Sequence, residues 1–196
     1  MTGLASGEML CHMRSRFLLA GLVLALAACG GGGGGGAKSG SELALGTRAA
    51  VTHTEIASGN QKAATTTLGI TVLKVRKGTM QELTKGGFTV DAKNKSDTPY
   101  YVDVKYENTG SAAIKRSLDV ALEDQNGNLI TSVVIFNYGG KPFAKCPAIK
   151  EGEVAPGSSY ESCTLFFVPK GKQPSRVSFL PYNPKKETQF VYWKVA

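Results

Sequence analysis

From Leu43 onward the apolar residues recur at every second position, and turn-forming residues interrupt the run about every ten positions, the pattern of half-buried β-strands joined by short loops. Ala49 to Thr54 open the sheet. Leu68, Ile70 and Val72 alternate along a second strand, but Leu73 and Val75 carry the apolar set onto the other parity, so a bulge is expected near Val72. Val102, Val104 and Tyr106 point one way while Asp103, Lys105 and Glu107 point the other, and Asn108-Thr109-Gly110 ends that strand. Leu118, Val120 and Leu122 repeat the alternation, which places Asp119 and Glu123 on a solvent face. The turn Asp124 to Asn128 contains Asn126-Gly127, a pair that readily supplies positive φ, and predicts a hairpin whose second arm runs from Leu129 to Phe136.

Cys163 to Val168 is apolar on both parities, as expected of a central strand covered on both sides. Pro156-Gly157 sets the turn before it, and Pro169 with Gly171 the turn after it. Arg176 to Leu180 and Gln189 to Val195 supply the last strands, with Phe190 and Tyr192 on one face and Val191 and Trp193 on the other. Phe88 and Val90 begin a short strand. Lys77 to Gly87 lacks periodicity and reads as an exposed crossover loop. The pattern therefore predicts seven to nine strands over 43–196 and no amphipathic helix, an all-β chain folded as an immunoglobulin-like antiparallel β-sandwich.

The alternation is absent before Leu43. Phe17 to Ala28 is a continuous apolar run behind Arg14 and Arg16, and Cys29 followed by seven glycines comes next. About 12 apolar residues are too few for a spanning helix, which needs about 20. Leu26-Ala27-Ala28-Cys29 resembles the lipobox of bacterial lipoproteins, because charge, apolar core, small residues and cysteine arrive in order. The resemblance implies cleavage before Cys29, a diacylglyceryl thioether on its sulfur and N-acylation in some bacteria, each buried methylene adding roughly 0.8 kcal/mol to membrane affinity. Residues 1–28 are then a signal peptide, 29–42 a lipidated cysteine with a glycine-rich linker, and 43–196 the folded domain. Met1 to His12 is an odd preface that delays the basic pair, so Met13 or Met9 is the expected start. Gly30 to Ser41 reads as a flexible coil with a mean reach on the order of 20 Å. No strand precedes these glycines and no Gly-Lys-Ser/Thr follows them, which excludes a phosphate loop.

A composition of 42% hydrophobic and 8% aromatic residues is enough for a packed interior. The net charge of +8, or +7 once Arg14, Arg16 and Glu8 leave with the signal, favours anionic neighbours. In an extracytoplasmic setting these are lipid headgroups or acidic wall polymers, not nucleic acid. Cys146 and Cys163 are the only cysteines in the body of the chain, and an isolated pair in an oxidising compartment is expected to form a disulfide. The bond would staple the loop after Phe143 to the neighbouring central strand. Closing a loop of this size stabilises a fold by about 3 kcal/mol.

Four motifs then accumulate: Val102-Asp-Val-Lys-Tyr-Glu-Asn-Thr-Gly110, Leu118-Asp-Val-Ala-Leu-Glu-Asp-Gln-Asn-Gly127, Ala155-Pro-Gly-Ser-Ser and Leu165-Phe-Phe-Val-Pro-Lys-Gly171. In order and spacing they resemble a family of bacterial immunoglobulin-like lipoprotein domains of unknown function, similar in fold to a mycobacterial secreted immunogenic antigen. The family supplies a fold and a location but no catalytic residue to carry over.

Chemistry finds little support in the residue types. His53 is the only histidine after the signal, no Gly-x-Ser-x-Gly is present, and Met80 is the sole methionine of the body. The Asp and Asn spacing of the 124–128 turn could be misread as a calcium loop, but no acidic residue closes a twelve-residue frame. No catalytic residue, metal or cofactor is expected. The surface candidate is the aromatic and basic loop of Phe136, Tyr138, Lys141, Phe143 and Lys145, pinned at Cys146, which could recognise a partner. Lys170, Lys172, Arg176, Lys185 and Lys186 form a second basic cluster. The sequence thus points to a non-enzymatic, membrane-anchored interaction domain on the extracytoplasmic face, binding an envelope protein or an anionic wall polymer. The alternative is an accessory or inhibitory subunit of a larger envelope complex.

Overall fold

The computed structural model describes residues 42–55, 63–115, 118–133, 143–148, 152–182 and 190–195. Its strands are β1 (Glu42–Ala44), β2 (Arg48–Glu55), β3 (Ala64–Lys77), β4 (Thr98–Asn108), β5 (Ile114–Lys115), β6 (Ala121–Asp124), β7 (Leu129–Ile130), β8 (Ser132–Val133), β9 (Glu153–Val154), β10 (Ser159–Val168), β11 (Pro174–Phe179) and β12 (Val191–Lys194). Seven of these are four residues or longer. Among the described residues one α-helix, α1 (Met80–Lys85), and a single 3-10 turn at Ala92–Asn94 lie between β3 and β4.

Period-two alternation gives each sheet one apolar face, and the two faces bury each other. The first sheet has the order β1-β12-β11-β6-β7 and the second β2-β3-β4-β10-β8, with β5 and β9 forming a small separate ladder. Val177, Phe179, Leu122, Val191 and Trp193 of the first sheet pack against Leu68, Ile70, Val102, Val104 and Phe166 of the second. Burying each large apolar side chain contributes about 1.5–3 kcal/mol, so this layer dominates the stability of the sandwich. Trp193 is fully buried, and its indole Nε1 donates to the Thr47 carbonyl at 2.8 Å, which satisfies the one polar atom of that ring. The architecture is the expected immunoglobulin-like β-sandwich. Among the described residues the ladder of β1 on β12 is parallel, and every other is antiparallel.

Several expectations meet their physical counterpart. The register of β3 on β4 slips between Val72 and Lys74, so Leu73 is the extra residue that moves the apolar set to the other face. Gly127 has φ +79° in the turn between β6 and β7, a conformation that side chains with a Cβ rarely adopt. β10 lies between β4 and β8, with Phe166 and Val168 facing the sandwich interior and Leu165 and Phe167 facing a second apolar layer.

Other expectations are corrected. The second arm of the hairpin is two short pieces: β7 pairs with β6 in the first sheet and β8 with β10 in the second, so the chain changes sheets at Thr131. Lys77 to Gly87 is not simply an exposed loop. Thr79 Oγ1 accepts from the Glu82 amide at 3.2 Å and Glu82 Oε2 accepts from the Thr79 amide at 3.2 Å, a capping box that starts α1. Its single buried anchor, Leu83, is too little to show as periodicity. Phe88 and Val90 form no strand; both pack on the layer that α1 helps to build. Glu123 was expected on a solvent face, yet it is buried, because Arg176 from β11 covers it with Nε to Oε2 at 2.6 Å. The Arg176 guanidinium is itself covered by the Tyr192 ring, 4.3 Å away.

Candidate functional site

The outer face of the second sheet carries the second apolar layer, made of Leu83 from α1, Tyr101 from β4, Leu165 from β10, and Phe143 with Cys146 from the loop before β9. Phe143 is therefore a core residue and not the exposed aromatic expected: only 6% of it is accessible. Its ring meets Phe88 edge-on at 5.1 Å and Tyr101 at 5.9 Å. A Cβ at Gly86 would approach the Phe143 ring to 2.8 Å, so a glycine there lets α1 and this loop close on each other. Of the other loop candidates, Phe136, Tyr138 and Lys141 lie outside the described residues. Lys145 is exposed and lies 3.5 Å from Glu82 of α1.

Two fasteners hold this loop on the sheet. The first is the disulfide between Cys146 and Cys163, whose Cα atoms are 5.2 Å apart and which joins the loop to β10 as the sequence suggests. The second is Arg76 at the end of β3. Its Nε and Nη2 donate to Asp103 Oδ2 and Oδ1 at 2.7 and 2.9 Å, and Nη2 also donates to the Lys145 carbonyl at 2.7 Å. The guanidinium sits 5.1 Å from the centre of the Tyr101 ring. Its hydrogen bonding to Asp103 raises a pKa that is already high, so Arg76 is charged at every relevant pH. Nothing in the local sequence announced this role, because its partners come from β4 and from a loop 69 residues away.

Beside the fasteners runs a groove of about 690 Å³, lined by Lys74, Arg76, Asp103, Lys145, Glu161 and Cys163 among others. Two cations border it with their heads in solvent: the Lys74 side chain is 62% exposed and that of Lys145 is 56% exposed, and their carboxylate contacts are long, at 3.9 and 3.5 Å. Ion pairs of that kind contribute little and exchange readily for another anion. The groove thus brings Lys74, Arg76 and Lys145 together with Asp103 and Glu161 beside the disulfide-linked loop. Its lining contains no histidine.

The remaining candidates are structural. His53 on β2 accepts from the Tyr182 amide through Nδ1 at 3.2 Å, and burial lowers its pKa despite the nearby Glu55 carboxylate. The turn once comparable to a calcium loop uses its carboxylate internally. Asp124 Oδ1 accepts from the amides of Asn126 and Asn128 at 2.8 and 2.9 Å, and Lys172 Nζ lies 3.0 Å from Oδ2. The side-chain and backbone N–H groups of Asn128, with Lys172 and the Asn126 amide, hold this carboxyl far below the usual carboxylate range. Among the described residues, no three His, Cys, Asp or Glu side chains converge as metal ligands. The second basic cluster is partly neutralised, with Lys172 paired to Asp124 and Arg176 to Glu123 and Glu42. Lys185 and Lys186 lie outside the described residues, as do the signal segment and Cys29.

No protein-family model and no curated protein matches this sequence. Solved structures are similar in overall arrangement. The yjhA protein of Bacillus subtilis is 17% identical, with 79% of this chain and 99% of that chain covered and a TM-score of 0.46. The secreted protein MPT63 of Mycobacterium tuberculosis is 13% identical, with 80% and 99% covered and a TM-score of 0.49. The ycdA protein of Bacillus subtilis, described as a candidate lipoprotein, is 19% identical over 65% of this chain and 36% of its own, with a TM-score of 0.47. A mycobacterial secreted protein is thus among the similar folds, as the resemblance implied, and nothing about role follows from it.

Proposed function

We propose that this protein is a lipid-anchored, extracytoplasmic, non-enzymatic binding protein, held by an acylated Cys29 and presenting a groove for an anionic envelope ligand. The supporting sequence feature is the ordered run of basic pair, apolar core, Leu26-Ala27-Ala28-Cys29 and glycine linker. The observation that carries the binding role is the groove beside the Cys146–Cys163 bond, where Lys74 and Lys145 stand exposed over a wall fixed by Arg76 and the disulfide. A fixed wall lowers the ordering cost of binding, and a tether raises the local concentration of the groove near its ligand.

Cross-linking in intact cells tests the assignment. The native chain is expected to capture an acidic wall polymer in a salt-sensitive manner, and Lys74→Glu with Lys145→Glu is expected to abolish the capture while leaving the fold intact. Stoichiometric capture of one envelope protein, insensitive to these substitutions, would instead favour the accessory-subunit role. Capture that does not depend on either lysine would remove the groove from the account.

A further inference from the structure

The parallel ladder of β1 on β12 fixes which end of the sandwich the N-terminal segment reaches. Glu42 is paired with Tyr192 and Ala44 with Lys194, so the chain enters the domain beside the start of β12. β11 runs antiparallel to β12, with Phe179 opposite Val191, so Leu180 and Phe190 follow at that same end. Val177, Phe179, Val191 and Trp193 point into the core, Tyr192 alternates to the outer face of the first sheet with its ring between Phe190 and the Arg176 guanidinium, and Leu180 follows β11 at the same end. Leu180 is 47% exposed and Phe190 36%, and the Phe190 and Tyr192 rings stack on each other at 5.7 Å. Tyr182, 42% exposed, is the next exposed ring along the chain. Three of the four large apolar side chains that stand exposed among the described residues are therefore gathered where the chain enters. The fourth, Leu129, begins β7 opposite Glu123, which is level with Arg176 and Lys194 at the other end of these short strands.

We propose that this rim, Leu180, Phe190 and Tyr192, is a membrane-contact surface that rests in the headgroup region of the bilayer holding the chain. The inference builds on the reading of Cys29 as the anchor. Twelve residues, 30–41, separate Cys29 from Glu42. A glycine-rich coil of that length has a mean reach of about 20 Å. Tyr192 stands one strand spacing from Glu42, about 4.8 Å, so a tether of that mean reach attaches to the domain beside this rim. Tyrosine, with an apolar body and a polar tip, is suited to the membrane interface. The lysine-bordered groove is on the outer face of the other sheet, so a domain seated on this rim leaves the groove open to solvent.

The test couples the mature chain through its Cys29 thiol to a maleimide-headgroup lipid in phosphatidylglycerol-containing vesicles, which supplies a tether whether or not the cell acylates this cysteine. Phe190→Trp places a reporter on the rim and Leu129→Trp one at the far end, while native Trp193 is buried and contributes a constant background. Lipids brominated along the acyl chain are expected to quench the reporter at position 190 several-fold more than the one at position 129. Equal quenching at both positions, or none at position 190, overturns the proposal. So does concentration-dependent shielding of position 190 from aqueous iodide without lipid quenching, which would show a second copy covering the rim. Loss of the anchor reading is recognised separately, as an unacylated N-terminus in the native protein.

Discussion

Arg76 and Asp103 face each other across β3 and β4 in a two-point contact, with N to O distances of 2.7 and 2.9 Å, and the same guanidinium reaches the Lys145 carbonyl at 2.7 Å. One side chain thus ties two strands to the disulfide loop. In Arg76→Ala both acceptors lose their donor, and unfolding in urea is expected to show a loss of about 2 kcal/mol. Arg76→Lys should recover little of it, since an ammonium cannot span both carboxylate oxygens. A loss below about 0.5 kcal/mol would class the pair with ordinary surface contacts.

Removing the disulfide as Cys146→Ala with Cys163→Ala reopens a loop of 17 residues, and the expected cost is about 3 kcal/mol. The main core uses neither cysteine, so the far-ultraviolet strand signal should persist at moderate temperature. The near-ultraviolet signal of Tyr101 and Phe143 should weaken as their layer loosens. Simultaneous loss of both signals would mean that the two layers unfold as one.

Asn108, at the end of β4, is buried and fully used. Its Oδ1 accepts from Thr66 Oγ1 at 2.6 Å, and its Nδ2 donates to the carbonyls of Ala112 and Val154 at 2.8 and 2.9 Å. Asn108→Ala leaves these groups without that partner in a buried site, and thermal or urea unfolding should register a loss of about 2–3 kcal/mol.

Three groups with lowered pKa shape the acid limb of stability: His53, Asp124, and Glu107, whose carboxylate is held down by Lys105 and Arg48. Burial holds the His53 imidazole below its ordinary pKa of 6.5, so on acidification the unfolded chain takes up that proton first. The His53 contribution is present above the ordinary value and is lost as pH falls from there toward the lowered folded value. Asp124, held far below the usual carboxylate range by Asn128 and its other donors, behaves likewise at lower pH: its contribution is present above 3.8 and is lost below it. The thermal midpoint should therefore decline first below the ordinary histidine value and again in the carboxylate range, with His53→Gln removing the first decline and Asp124→Asn reducing the second, to which Glu107 also contributes. An unchanged profile in either variant would contradict the assignment.

The parity of Leu68, Ile70, Val102, Val104, Val177 and Trp193 was legible in the sequence because alternation is a local property, and so was the bulge beside Val72. The positive-φ turn at Gly127 was legible for the same reason. What escaped depended on distant partners. Glu123 is buried only because Arg176, 53 residues later, lies over it. Phe143 turns inward because α1 and Tyr101 offer it an apolar layer. The capping box from Thr79 to Glu82 was a readable signal for α1, but with Leu83 as its one buried residue the helix left no periodic trace. The groove required Lys74, Arg76 and Lys145 to meet, and no spacing along the chain could show that. The reading of Cys29 as an anchor and of the glycines as a linker rests on order and composition alone.

The decisive measurement is the mass of the native protein purified from its own membrane. A lipid-anchored chain begins at Cys29, carries acyl groups on that cysteine, and is two hydrogens lighter than the fully reduced body because Cys146 and Cys163 are bonded. A chain with an unacylated N-terminus would contradict the lipid anchor.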